Sequence, residues 1–419
     1  MSLYDKMLIG FGSGFGVKAG TLFNLKPIDG LGDFTVSRND ANGTIINDSG
    51  LIEGVLANVP RSNYPIGGSV NGCPSLLMEP EAIQLIPFSD DFNNAAWLKS
   101  DLTTNNDVQT SPDGTTNADE LIEGVGAGGH TASEAVVLVA GNNVISVFMK
   151  KSTRQYTAFQ IDGAGSGGTT MLNFDLNNGT VAIAVGSAVS FGVQDYGNGW
   201  YRGWIVKNAS GGAATMRIYT MNGPAYANRS YTGDGVSGTY VWGANIVAGD
   251  YIQNYIQTLS GSLTRLPDQV NNAGNALLFN DSEGVLYLKI SALGNDSTFR
   301  VASLSDNSTS DYIELRYENT SNDIKLTIQS GGVLQAFLFH ALADETVITH
   351  IAARWQINNF SLWVNGVEVG TDVSGATPIG LIDFGFSQYG TGGNPFYGNC
   401  EEMGVFEYLT DLEMIELTT

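Results

Sequence analysis

Apolar residues in this chain come in runs of about four to seven, each closed by glycine, asparagine or aspartate, and this rhythm limits the folds open to it. A run that short cannot fill one face of a stable helix, but it supplies one strand. Such runs recur at Val136 to Val139, Val144 to Met149, Tyr156 to Ile161, Met171 to Leu176, Trp200 to Val206, Thr215 to Tyr219 and Tyr240 to Ile246, with Asn178-Gly179 and Asn222-Gly223 as turns. A second series follows with cleaner alternation: 284–290, 312–317 and 324–328. Its clearest hairpin is Phe360 to Val369 around Asn365-Gly366, two residues suited to the positive φ angles of a type I′ turn. Thr410 and Glu413 form a capping box ahead of Leu412, Met414, Ile415 and Leu417, so a helix of one or two turns is expected to plug one end of the last sandwich.

The expected fold class is therefore all-β. A small irregular region, residues 1–85, is broken by Pro60, Pro65, Pro74, Pro80 and Pro87 and reads as a collar or arm. Residues 86–266 carry enough strands for a jelly-roll β-sandwich, and 267–419 repeat the pattern as a second sandwich.

Charge narrows the function. Forty-two acidic against 19 basic residues leave a net charge of −23, and the longest basic cluster is Lys150-Lys151, so nucleic acid and anionic membrane surfaces are poor partners. No stretch approaches the roughly 20 apolar residues of a spanning helix, and the opening 20 residues fail as a secretory signal. Cys73 and Cys400 lie far apart and are expected as free, buried thiols.

Local motifs are sparse. Gly10 to Gly16 lacks the strand and helix a dinucleotide loop needs, and reads as a flexible or surface-docking segment. His130, His340 and His350 stand at no metal-ligand spacing, and His340 reads as a core or edge residue. Most aspartates sit in turns, where their side chains cap the backbone; no enzyme activity is expected, although a paired-carboxylate glycan depolymerase stays open. No cofactor is expected, with Ca2+ left open by the oxygen-rich loops. Trp200, Trp204, Trp242 and Trp355 read as core residues. Trp97, in a polar stretch, and the loop aromatics Tyr389, Phe396 and Tyr397 are the candidates for stacking on sugar rings.

Some blocks carry a resemblance. Ala19 to Leu22, Gly32 to Arg38, Ser49 to Glu53, Asn58 to Tyr64 and Cys73 to Pro80, running into Leu85 to Trp97, resemble a module of bacteriophage tail-fibre and head-spike proteins. Ser111 to Asp119, Gly197 to Arg202 and Val241 to Asn245 resemble the jelly-roll, carbohydrate-binding-like domain of such proteins, although Asn245-Ile246-Val247 departs from its usual pattern. Arg354-Trp355, Leu362 to Gly366 and Glu402 to Phe406 are similar to laminin-G-like, concanavalin-type sandwiches. The resemblance implies a virion structural protein, tail fibre or capsid spike, attached to other virion proteins through its N-terminal region. It also implies sandwiches that meet a host cell-surface glycan, in a homotrimer or another symmetric homo-oligomer. A purely architectural role is the further alternative.

Overall fold

A computed structural model describes residues 20–22, 34–320, 322–389 and 392–419; the glycine-rich run Gly10 to Gly16 lies outside them. Every strand ladder among these residues is antiparallel, and the described residues are all-β apart from short 3-10 turns and one helix, Asp411–Leu417.

The middle sandwich has two six-stranded sheets. One runs in the order Ser190–Asp195, Trp200–Ala209, Gly141–Lys151, Gly238–Ala248, Thr116–Glu123, Leu102–Thr110. The other runs Thr180–Val185, Thr170–Asp175, Tyr156–Asp162, Gly212–Met221, Thr131–Leu138, Leu98–Ser100. All seven expected runs are strands. Alternate residues turn inward, so Ile145, Val147, Met149, Ile205 and Val241 meet Phe159, Ile161, Leu172, Phe174 and Met216 in one dry layer. At Gly203 the sheets come so close that a Cβ would lie 2.2 Å from the Phe174 ring, which only glycine avoids.

In the last sandwich a five-stranded sheet, Val333–Ala341, Asp323–Ser330, Tyr312–Tyr317, Arg300–Ser305 and Asp383–Gly385, faces an eight-stranded one. The larger sheet contains Val367–Asp372, Phe360–Val364, Thr349–Gln356, Glu283–Ala292 and Gly398–Phe406, and it then continues into the N-terminal region through Ser75–Met78 and Arg61–Asn63. Gly20–Leu22 also pairs with Gly398–Phe406. The Asn365-Gly366 turn has φ values of 49° and 80°, and Thr410 caps the helix with the reciprocal Glu413 bond. The helix does not plug an end. It covers the outer face of the large sheet, where Met414 and Leu417 pack with Val285, Tyr287, Ala352 and Trp363, side chains that alternate with the core-facing Leu286, Leu288 and Ala353.

Residues 34–85 are built into the body instead of standing apart as an arm. Besides the two strands above, Thr35–Ser37 pairs with Gln269–Asn271, Ala82–Gln84 pairs with Leu263–Arg265, and Gly43–Ile46 forms a hairpin with Ile52–Val55. Where these segments converge, five buried charges interlock. Asp268 accepts from Arg38 at 2.9 Å and from both Nε (3.1 Å) and Nη2 of Arg61, while Glu79 accepts from Arg61 and Arg265, each at 2.6 Å. None is more than 3% exposed. Burial opposes ionisation of Glu79, but the guanidiniums of Arg265 and Arg61 and the Asn254 N–H outweigh it and hold the carboxyl down at about 2.

Both cysteines are free, but Cys73 is exposed: it follows the short 3-10 turn Gly68–Asn71 on the surface, whereas Cys400 lies in the core.

Candidate functional site

The four aromatics singled out in the sequence do not come together. Trp97 is fully buried, which corrects its expected exposure: turns through Asp91 and Asn94 (Asn94 N–H to Asp91 Oδ1, 3.0 Å; Trp97 N–H to Asn94 O, 3.2 Å) roll the indole inward. There it packs 4.5 Å from the Phe92 ring and donates from Nε1 to Phe88 O at 3.0 Å. Phe396 is also buried, 1% exposed, because its backbone pairs with Phe386 and its ring packs 5.8 Å from both Tyr317 and Phe386. Neither ring is open for stacking on a sugar. Tyr389 is half-buried, 4.2 Å from the Tyr312 ring, and Tyr397 is half-buried with its carbonyl held by Arg300 Nε at 2.8 Å. Of the tryptophans expected in cores, Trp200, Trp242 and Trp355 are buried and Trp204 is half-buried.

A different place has the form of a site. Where the N-terminal hairpin lies across the outer face of the middle sandwich, a crevice of about 480 Å3 remains. Ile46 and Ile52 of the hairpin sit on Phe148, Trp200, Trp242 and Tyr255, and this apolar contact fixes one wall. Ile52 N–H bonds Pro112 O at 2.9 Å and Thr44 Oγ1 donates to Tyr255 O at 2.6 Å, so hairpin and sandwich are also stitched by polar bonds. The Trp242 and Tyr255 rings, 1% and 3% exposed, lie 4.7 Å apart at 48° and close the bottom. The rim is polar, with Asn42, Asp113, Gln257, Ser260 and Ser262, and Leu259 standing 75% exposed beside it.

Gln257 and Asp113 are held in place on the rim. Gln257 donates to Asp90 at 2.6 Å, and burial followed by the negative charges of Asp113 and Asp91 raises the Asp90 pKa despite that bond. Asp113 accepts from Ser111 Oγ, Thr115 N–H and Thr115 Oγ1 at 2.6 to 2.8 Å, which fixes the turn before Gly114. The Tyr255 hydroxyl bonds Ser89 Oγ at 2.6 Å. The indole N–H groups of Trp97, Trp200, Trp355 and Trp363 all donate to protein oxygens, whereas Trp242 Nε1, in the crevice wall, is buried with no protein partner among the described residues. Such a donor is costly unless a small polar molecule satisfies it. Gly54 also lines the crevice, and a Cβ there would meet no atom within 4 Å, so the space above it is open.

This place was hardly legible in the sequence. Its walls come from 41–54, 113 and 242–263, and the Ser49 to Glu53, Ser111 to Asp119 and Val241 to Asn245 blocks each touch it at a single residue.

Carboxyls with raised pKa lie elsewhere. Burial lifts Asp119 to about 6 and Glu134 to about 7, the latter opposed by Lys99, and lifts Asp383 to about 6. None of the three lines the crevice. Among the described residues no three His, Cys, Asp or Glu side chains gather as a metal site, and no helix is long and apolar enough to cross a membrane.

Searches find no matching family model and no matching curated protein. Among solved structures, the chain is similar to domain 4 of a GH43 extracellular arabinanase from Geobacillus stearothermophilus, in complex with arabinotriose. The TM-score is 0.30 with 15% identity, over 41% of this chain and 86% of that one. It is also similar to domains LG4-5 of the mouse laminin α1 chain, with a TM-score of 0.25 and 9% identity, over 69% of this chain and 89% of that one. At such overlaps, the crevice's own residues decide what it can hold.

Proposed function

We propose that this chain is a glycan-binding structural protein whose crevice receives a short stretch of neutral polysaccharide. The observation that carries the proposal is the make-up of the crevice: accessible apolar side chains, Leu259 and Leu263, ringed by amides and hydroxyls. Its volume falls within the ~300–1,000 Å3 common for small-ligand sites. A sugar ring offers apolar C–H faces to Leu259 and Leu263 and hydroxyl oxygens to polar groups such as Asn42, Gln257 and Ser260. The lining holds one carboxylate, Asp113, and no lysine or arginine, so uronic, sialic or sulfated sugars are disfavoured over neutral ones.

The residue blocks that resemble phage tail-fibre and head-spike proteins support a setting on a virus particle, with the sandwiches turned toward a host surface. Single shallow sites bind weakly, and several copies held on one particle raise the overall avidity without new contacts.

The test is an array of bacterial-surface polysaccharides probed with multivalently displayed protein. Wild type is expected to bind neutral glycans. Gly54→Trp, which fills open space without a clash, and Gln257→Ala, which removes a rim amide, should each weaken binding at least tenfold while the melting curve stays in place. A silent array, or undiminished binding by Gly54→Trp, would overturn the reading.

A further inference from the structure

We infer that the edge strand Val333–Ala341 pairs antiparallel with the same strand of a second copy of this chain. The strand ends the five-stranded sheet, and Asp323–Ser330 is its one sheet neighbour among the described residues. An end strand leaves a row of backbone N–H and C=O groups facing outward, which proteins commonly guard with charges, proline or brevity.

Most other edges of this protein carry such guards, Thr180–Val185 being an exception. Leu102–Thr110 contains Asp107, Val367–Asp372 contains Glu368 and Asp372, Ser190–Asp195 ends in Asp195, and Arg61–Asn63 and Asp383–Gly385 are three residues long. Val333–Ala341 reads Val-Leu-Gln-Ala-Phe-Leu-Phe-His-Ala, without one acidic or basic residue apart from His340, in a chain of net charge −23. It is a stretch where a second copy meets no like charge on the pairing strand.

Its side chains fit themselves. Ala336 and Leu338 face the core, while Phe337 and Phe339 point to the outer face and are 47% and 63% exposed. A two-fold axis through Leu338 sets Phe337 opposite the second copy's Phe339 and the reverse, giving two aromatic cross-strand pairs on one face. The start of the strand is partly covered, since Ala376 N–H bonds Gln335 Oε1 at 2.9 Å, so the open stretch is 336–341, an ordinary strand length.

Further apolar side chains flank the strand. Val333 and Leu334 are 61% and 55% exposed, and Val367 and Val373, on and just after the edge strand of the larger sheet, are 59% and 77% exposed. The product is one continuous sheet of ten strands, five from each copy.

Sedimentation equilibrium of the purified chain at micromolar concentration tests this. Wild type is expected at twice the monomer mass, and the Phe337→Lys/Phe339→Lys double variant at the monomer mass with an unchanged melting curve. Val137→Lys, on an exposed site of the middle sandwich, should leave the dimer intact. In a Cys73→Ser background, the Phe337→Cys/Phe339→Cys double variant should oxidise to a covalent dimer. A monomeric wild type, an assembly insensitive to the two lysines, or a failure to cross-link would each overturn the proposal.

Discussion

Glu79 shows how much one side chain can carry. It stands buried between Arg61 and Arg265, so removing its charge strands two cations. Glu79→Gln should cost about 3–5 kcal/mol of stability, read by denaturant titration. Its pKa is depressed in the folded state, so the stabilisation is complete above about 4.5 and is lost as pH falls toward about 2. Glu134 behaves in the opposite sense. Burial raises its pKa to about 7, and Oε2 has no protein hydrogen-bond partner among the described residues, so the folded state prefers the protonated acid. Stability from this group is full below about pH 4.5 and declines as pH rises to about 7, because the unfolded chain releases the proton first. Glu134→Gln should therefore raise the melting temperature of the middle sandwich at pH 8 and change it little at pH 4.5, a difference calorimetry can read. Sequence reasoning missed these positions and misplaced Trp97 and Phe396 for the same reason. Polar neighbours in sequence say little about which way a turn rolls a ring, and the partners of Glu79 lie up to 189 residues away.

Strands, turns and the helix were far easier to read. The Asn365-Gly366 hairpin follows from local conformational preference, and so does the Thr410 cap, because both depend on residues within a few positions of each other. Gly366→Val should cost about 1–2 kcal/mol by forcing a β-branched residue to φ 80°. It also places a Cβ 2.8 Å from Thr419 Oγ1, so the helix end should loosen with the turn. Thr410→Ala should cost about 1 kcal/mol through loss of the cap alone. Urea titration of both variants checks the order of the two effects. The side of the sheet on which the helix lands was not legible, since its apolar residues suit either an open sandwich end or an exposed sheet face. The outward alternation of Val285, Tyr287, Ala352 and Trp363 decides it, and that alternation emerges only once the strands are in register.

At the scale of the whole molecule, the N-terminal strands and the two sandwiches depend on one another. Short strands between prolines look irregular when read alone; Ser75–Met78 becomes ordered by pairing with a strand more than 300 residues away. A fragment of residues 86–419 should lose the edge strands of the large sheet and leave Arg265 and Asp268 without Arg38, Arg61 and Glu79. It should be recovered mainly as aggregate, in contrast to the full chain, when the soluble fractions are compared by size-exclusion chromatography. The pairing of Ser75–Met78 with Gly398–Phe406 also sets a timetable for synthesis. Ser75–Met78 must wait, unpaired, while more than 300 further residues are made, so closure of that sheet is a late and slow step, and a product cut short before residue 398 announces itself by its sticky open border.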